Sequence, residues 1–276
     1  MRFWNMQNRY KLLVTDIDGT IANKNGEISD TDLKALRDIH QAGVMISLCT
    51  GRAAGGCLRI LNRLSMDGFH IFFDGALITN SMLTEEIYSQ PIEEKLLRQV
   101  CKLASTNAIT LELFSRSGFF ISRQNPLADV HGQLMSFKPV TADFDTLCSR
   151  EPIILCCMVT AASEEMRILS LFLKLESSLR FSSTINPARP DIRLINITAK
   201  GVTKGTALTA LISYLGLKQE NAIAIGDGAN DASLLANAGL AIAMQNAPDQ
   251  LKGIADYITT DVEHNGVAQA IEHIFR

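Results

Sequence analysis

Residues 14–22 read VTDIDGTIA, and two aspartates, Asp16 and Asp18, close an apolar run of the kind a parallel sheet buries. Leu12, Leu13 and Val14 have the aliphatic and β-branched character of an inner strand, and Gly19 breaks it. The pair therefore stands where a strand gives way to a loop. Alternate side chains of a strand share a face, which aims both carboxylates to one side unless the turn at Gly19 rotates the second. Two like charges this close raise each other's energy unless a cation lies between them. Such a carboxylate is a nucleophile, a metal ligand or a helix cap.

Working outward, SDTDLKALRDIHQAG is expected to be helical, with Ser29 or Asp30 as N-cap, Leu33, Leu36 and Ile39 on one face and Gly43 as the stop. VMISLCT (44–50) follows as a strand, then a helical segment to about Leu64, then the short strands IFF and ALI. Strand and helix in alternation indicate a parallel sheet with crossover helices. From about residue 83 the texture changes to helical segments near 92–105 and 163–179 among the strands ITLELF, GFFISR, IILCCMVT and RFSSTIN. The alternating pattern is expected to resume with DIRLINI (191–197) and to run on to a final helix. The expectation is an α/β fold: a Rossmann-like core of residues 1–82 and 191–276, interrupted by an α+β domain of residues 83–190.

The chain has 276 residues, enough for two domains with sizeable cores. Its net charge is −3, with Lys and Arg scattered, so no nucleic-acid surface is expected. No apolar stretch has the length of a membrane span, and the expected location is cytoplasmic. The six cysteines include no CxxC pair, and the adjacent Cys156 and Cys157 sit in an apolar run, so they are expected to be buried thiols. Phe3 and Trp4 near the N-terminus are read as a small contact patch, as tag-like leftovers or as part of a disordered terminus.

Four stretches bearing chemical groups fall at or just past the carboxyl ends of expected strands, where open parallel sheets bind ligands. Beside DIDGT there is TGR (50–52), whose Thr50 hydroxyl and Gly51 amide precede a helix and can receive an anion. In GVTKGTAL, Lys204 opens a helix, where positive charge is unfavourable unless an anion compensates it; the nearby Lys200 is a decoy. In AIAIGDGANDASLL, Asp227 and Asp231 bracket Asn230, an oxygen-rich set suited to magnesium and without the spacing of a calcium loop. Together these groups resemble a phosphoryl-transfer centre, with a carboxylate as nucleophile and a second carboxyl as general acid and base.

In their order and wording, DIDGT, CTGR, GVTKG and GDGAND, with the later GLAIAMQNAPDQLKGIADYIT and NGVAQAI, resemble the haloacid dehalogenase superfamily and within it the Cof-like subfamily IIB phosphatases. The resemblance implies a magnesium-dependent phosphatase of a small phosphorylated metabolite working through an aspartyl-phosphate; a phosphomutase of the same fold, or a silent binding module, is the alternative. By position it implies Asp16 as nucleophile and Asp18 as general acid and base. Thr50, Gly51, Lys204 and Asn230 would hold the phosphoryl group, and Asp16, the Asp18 carbonyl and Asp227 the magnesium. Thr20 and Asp231 would fix the loops. It also implies that residues 83–190 form a cap that reads the leaving group, with Arg116, Arg123, His131 and Lys138 as candidate polar groups. Two residues depart from the family pattern. Asp74 in FFDGALI replaces the usual Asn, which implies an extra acid that disfavours strongly anionic substrates, and Asn196 replaces the usual Glu.

Overall fold

The computed structural model describes residues 9–65, 67–116, 118–135, 138–186 and 189–275; Phe3 and Trp4 lie outside them. In chain order the strands are β1 (Leu12–Thr15), β2 (Met45–Leu48), β3 (Phe69–Phe72), β4 (Leu77–Asn80), β5 (Glu86–Ser89), β6 (Thr110–Phe114), β7 (Phe119–Ile121), β8 (Val140–Thr141), β9 (Leu155–Ala161), β10 (Leu179–Asn186), β11 (Arg189–Ala199), β12 (Ala222–Gly226), β13 (Leu240–Ala243) and β14 (Tyr257–Ile258). The chain divides into two compact units. One holds the described residues up to Gly51, Leu58–Tyr88 and those from Thr203 on; the other holds Arg52–Cys57 and Ser89–Val202.

The first unit is built on a five-stranded sheet in the order β14-β13-β12-β1-β2, parallel throughout. β1 lies between β12 and β2, with Leu12 opposite Ala222 on one side and Met45 on the other. All four of its residues are buried, as a strand covered on both faces requires. Leu12 and Val14 pack with Ala224 of β12 and with Leu208 and Leu211 of the helix Lys204–Tyr214. The helix Asp30–Gln41 starts as expected: the Ser29 hydroxyl accepts from the Asp32 amide. The β1 ladder ends with the Asp16 amide donating to the Ile225 carbonyl at 3.0 Å and the Cys49 amide to that of Thr15 at 2.9 Å. Asp16 is thus the last residue on this strand that the sheet holds. A three-stranded sheet, β3-β4-β5, continues from a parallel bridge between Cys49 and Ile71, and its first two strands are joined by the tight turn Phe73–Gly75.

The second unit has a six-stranded sheet in the order β10-β11-β9-β6-β7-β8, antiparallel except between β7 and β8. Leu97 and Val100 from the helix Glu94–Thr106, with Ile168 and Phe172 from Glu165–Phe172, cover Leu111, Leu113, Cys156, Met158, Ile195 and Ile197. Here the expected boundary fails. DIRLINI belongs to β11, which pairs with β10 through Phe181 and Ile197 and with β9 through Thr160 and Arg193. The inserted unit therefore runs to Val202 and the return to the parallel core comes after it, not at 190. At the other end β5 stays with β3 and β4, so 83–88 belong to the first unit. Two helices were also not expected, Pro126–Met135 and Phe144–Arg150. Their signals are local caps: Asn125 Oδ1 accepts from the Ala128 amide ahead of which Pro126 stands, and Asp143 Oδ1 from the Thr146 amide.

A fragment of residues 89–202 should unfold cooperatively in urea, followed by circular dichroism. A fragment of residues 83–190, which lacks most of β11 and with it Ile195 and Ile197, should show no cooperative transition.

Candidate active site

Asp16, Thr50 and Asp227 each stand within two residues of the carboxyl end of a parallel strand, β1, β2 and β12, which places them at one edge of the sheet. The loop after β1 is closed by the Gly19 amide donating to the Ala22 carbonyl at 2.8 Å and the Ile21 amide to that of Ile17 at 3.0 Å. Gly19 has φ +85°, and a Cβ there would fall 2.2 Å from Asp227 Oδ2. Only glycine lets this loop lie against the aspartate after β12. The turn also separates the two acids of DIDGT: Asp16 is buried and Asp18 exposed.

Lys204 occupies the centre. It opens its helix behind the N-cap Thr203, whose hydroxyl accepts from the Thr206 amide. Its side chain is 1% exposed, and Nζ lies 2.5 Å from Asp16 Oδ1 and 2.6 Å from Asp231 Oδ1. Burial alone would lower the lysine pKa, but Asp16 and Asp231 outweigh it and hold the ammonium charged. Asp231 spends its other oxygen on backbone, with Oδ2 accepting from the amides of Asp227 at 3.0 Å and Gly228 at 2.8 Å. The lysine and the turn after β12 are fixed by one side chain.

Asp227 is held from both sides. Thr20 Oγ1 donates to its Oδ1 at 2.8 Å, and Asn246 Nδ2 donates to its Oδ2 at 3.0 Å and to the Gly19 carbonyl at 2.9 Å. Sequence reasoning assigned Asn246 no role; its signal was its place just beyond β13, in the stretch AMQNA. Burial, then Asp231, raise the Asp227 carboxyl to about 6, against the Thr20 hydrogen bond. Burial likewise drives Asp16 well above the ordinary carboxylate range; Lys204 opposes this, while Asp231, Asp227 and Asp18 add to it. Oxygens of Asp16, Asp227 and Asp231 lie within 4.8 Å of one another. Asp231 is taken up by the Lys204 ammonium and two backbone amides, whereas Asp227 has only uncharged side-chain donors; Asp16 and Asp227 are the pair whose charge a cation would relieve, and an all-oxygen donor set suits magnesium.

Thr50 is buried, its amide donating to the Ile71 carbonyl at 2.9 Å. Asn230, in the turn after β12, donates through Nδ2 to Asp74 Oδ1 at 3.1 Å. All eight residues proposed from the motifs beside Gly51 (Asp16, Asp18, Thr20, Thr50, Lys204, Asp227, Asn230 and Asp231) belong to the first unit. Lys200, the decoy, is exposed in the second unit and donates to the Ser177 carbonyl.

The candidate polar groups of the second unit separate by environment. Arg116, Arg123 and Lys138 are exposed, whereas His131 is buried edge-on against the stacked rings of Phe114 and Phe119 with Nδ1 2.5 Å from Glu112 Oε2. Burial raises the Glu112 carboxyl and His131 opposes the rise. Cys157 lies near enough to suggest a metal trio. The two side chains are, however, in direct hydrogen-bond contact, closer than two ligands each about 2.1 Å from one zinc ion, which stand about 3.4 Å apart. His70, buried in the first unit, is pushed down to about 4 by burial and accepts from the Leu48 amide. None of the six cysteines forms a disulfide; Cys101 is half-buried and the rest are buried. Among the described residues no helix is long and apolar enough to cross a membrane.

The carboxyl edge of the parallel sheet keeps a charged lysine among carboxylates, and the class to which this site and fold belong is that of the phosphoric monoester hydrolases. The chain belongs to the haloacid dehalogenase-like hydrolases, whose family model matches residues 13–271. It is 30% identical over 267 residues to the 5-amino-6-(5-phospho-D-ribitylamino)uracil phosphatase YcsE of Bacillus subtilis, with 95% of each chain covered. A haloacid dehalogenase-like hydrolase structure from Bacteroides thetaiotaomicron matches with TM-score 0.86 and 29% identity, covering 96% of this chain and 100% of that one. The chain also matches the chloroplastic endoribonuclease YBEY of Arabidopsis thaliana at 25% identity, spanning 46% of that protein's length.

Replacing Lys204 by methionine leaves Asp16 and Asp231 buried without their counter-ion, which should cost about 3–5 kcal/mol in urea unfolding at neutral pH. The variant's carboxyls then have folded-state pKa values above their unfolded ones. The deficit should shrink as the pH falls toward about 4, where they take up protons.

Proposed function

We propose that the protein is a magnesium-dependent phosphatase of a small phosphorylated metabolite, a sugar phosphate or a phosphorylated cofactor precursor, acting through an aspartyl-phosphate on Asp16. The observation that carries this reading is the Lys204 ammonium between Asp16 Oδ1 and Asp231 Oδ1. It fixes one Asp16 oxygen and leaves the other to attack phosphorus. The substrate of YcsE, a phosphate ester on a ribityl chain, supports the substrate class.

In this reading the Thr50 hydroxyl, the Gly51 amide, Asn230 and Lys204 bind the phosphoryl oxygens and turn phosphorus toward Asp16. The Asp16–P bond forms as the ester P–O bond breaks, and Asp18 gives its proton to the departing oxygen. Asp18 is then a base: it takes a proton from water, the water oxygen bonds to phosphorus, and Asp16 is released. Its exposure suits both duties, since leaving group and water must reach it. Asp16, the Asp18 carbonyl and Asp227 would hold magnesium, which supplies positive charge against the phosphoryl oxygens. Thr20 and Asp231 keep the ligands and lysine in place. The second unit, residues 89–202, reads the leaving group.

Phosphate release from a panel of sugar phosphates, nucleotides, cofactor phosphates and an aryl phosphate tests the reading, with magnesium and with chelator. Release should stop with chelator and fall by at least about a thousandfold in Asp16→Asn, the nucleophile having been removed. Asp18→Asn should slow sugar phosphates more than the aryl ester, whose leaving oxygen needs no proton; equal losses would remove Asp18 as the acid. With Asp227 titrating at about 6 and Asp16 raised as well when no cation is bound, calorimetric magnesium affinity should be higher above that pH. Below it, affinity should fall on the order of tenfold per pH unit as protons compete.

A further inference from the structure

The turn Phe73–Gly75 is backbone-strained and sits against the phosphoryl-binding stretches of the site. Phe73 and Asp74 have φ of 53° and 54°, and Gly75 follows at 104°. Two successive residues other than glycine in the left-handed region persist only where their surroundings enforce it, and such strain gathers at functional sites. The enforcing contacts are visible. The Asp74 amide donates to the Thr50 carbonyl at 3.1 Å, and Asp74 Oδ1 accepts from Asn230 Nδ2 at 3.1 Å. A Cβ on Gly51 would lie 3.0 Å from Asp74 Oδ1 and 3.3 Å from Cγ, so the carboxyl rests against the Gly51 backbone. A Cβ on Gly75 would meet the Thr203 carbonyl at 2.2 Å and the Lys204 amide nitrogen at 3.0 Å. The turn thus touches the stretches that carry Thr50, Gly51, Lys204 and Asn230, and Asp74 is 3% exposed within it.

We propose that Asp74 is a positioning and specificity-determining residue of the phosphoryl site: it holds Asn230 and the Thr50–Gly51 segment in place, and its negative charge weakens the site's grip on phosphate dianion. This rests on the phosphatase reading above. The two effects have separate signatures. Asp74→Asn keeps an oxygen for the Asn230 amide and tolerates the left-handed backbone as well as aspartate does, but removes the charge. Asp74→Ala removes both.

Calorimetric titration with inorganic phosphate, in magnesium and without any ester substrate, measures the charge effect; aryl phosphate turnover measures the positioning. Asp74→Asn should bind phosphate about tenfold more tightly than the native protein and show a lowered KM. Asp74→Ala should lose about tenfold or more in kcat, and asparagine at 74 should restore most of that loss. Equal phosphate affinity in the native protein and Asp74→Asn overturns the charge role. An Asp74→Ala protein with native kcat and KM overturns the positioning role. Because binding is read without turnover, a shift in phosphate affinity in a protein inert to every ester sustains the inference while sinking the phosphatase reading. No phosphate binding by either protein sinks both.

Discussion

The buried ammonium of Lys204 is the constraint on which the first unit is arranged. Removing a cation from water is expensive unless charge and hydrogen bonds replace the solvent, and here Asp16 and Asp231 do so from two different strand ends. Each of those acids is tied elsewhere: Asp16 by the β1–β12 ladder, Asp231 by the amides of the turn after β12. A well-packed apolar core would be as stable as this ion triad. What the triad supplies is an oxygen of Asp16 in a defined place and one fixed positive charge among the carboxylates.

The same economy of contacts governs the surrounding loops. Asn246 ties the DIDGT loop to Asp227 with one amide group, and Gly19 permits the approach. Asp227 and Asp16 are left as raised carboxyls, an unfavourable state that a divalent cation would reverse. The site is therefore destabilised in the direction of its proposed cofactor. In the second unit the buried Glu112 gives Oε2 to His131 and keeps Oε1 without a hydrogen-bond partner, while the arginines and lysine singled out there face solvent.

Much of this was legible in the sequence because strand ends, caps and glycine turns are local signals. Val14 to Gly19, Ser29 before its helix and Lys204 at the start of another all have the places their residue types imply. Which sheet a strand joins is not local. DIRLINI has the same alternation whether it enters a parallel core or an antiparallel layer, and only the partners Phe181 and Thr160 decide the matter. Nor could spacing reveal that Asp74 and Asn230 are hydrogen-bonded across 156 positions of chain. The short helices after Asn125 and Asp143 were missed because an N-cap without a long apolar stripe carries little weight.

The central place of β1 has a consequence for how the chain is made. Its partner β12 is separated from it by about two hundred residues, Leu12 lying opposite Ala222, and the entire second unit is synthesised between them. On the ribosome the first strand therefore emerges long before the neighbour that completes its ladder, and Asp16 remains hydrated until Lys204 arrives. Closing so long a loop is a slow, entropically taxed step, eased if the intervening unit has already compacted. Assembly of the charged centre is thereby deferred until both the lysine and its second aspartate have been synthesised.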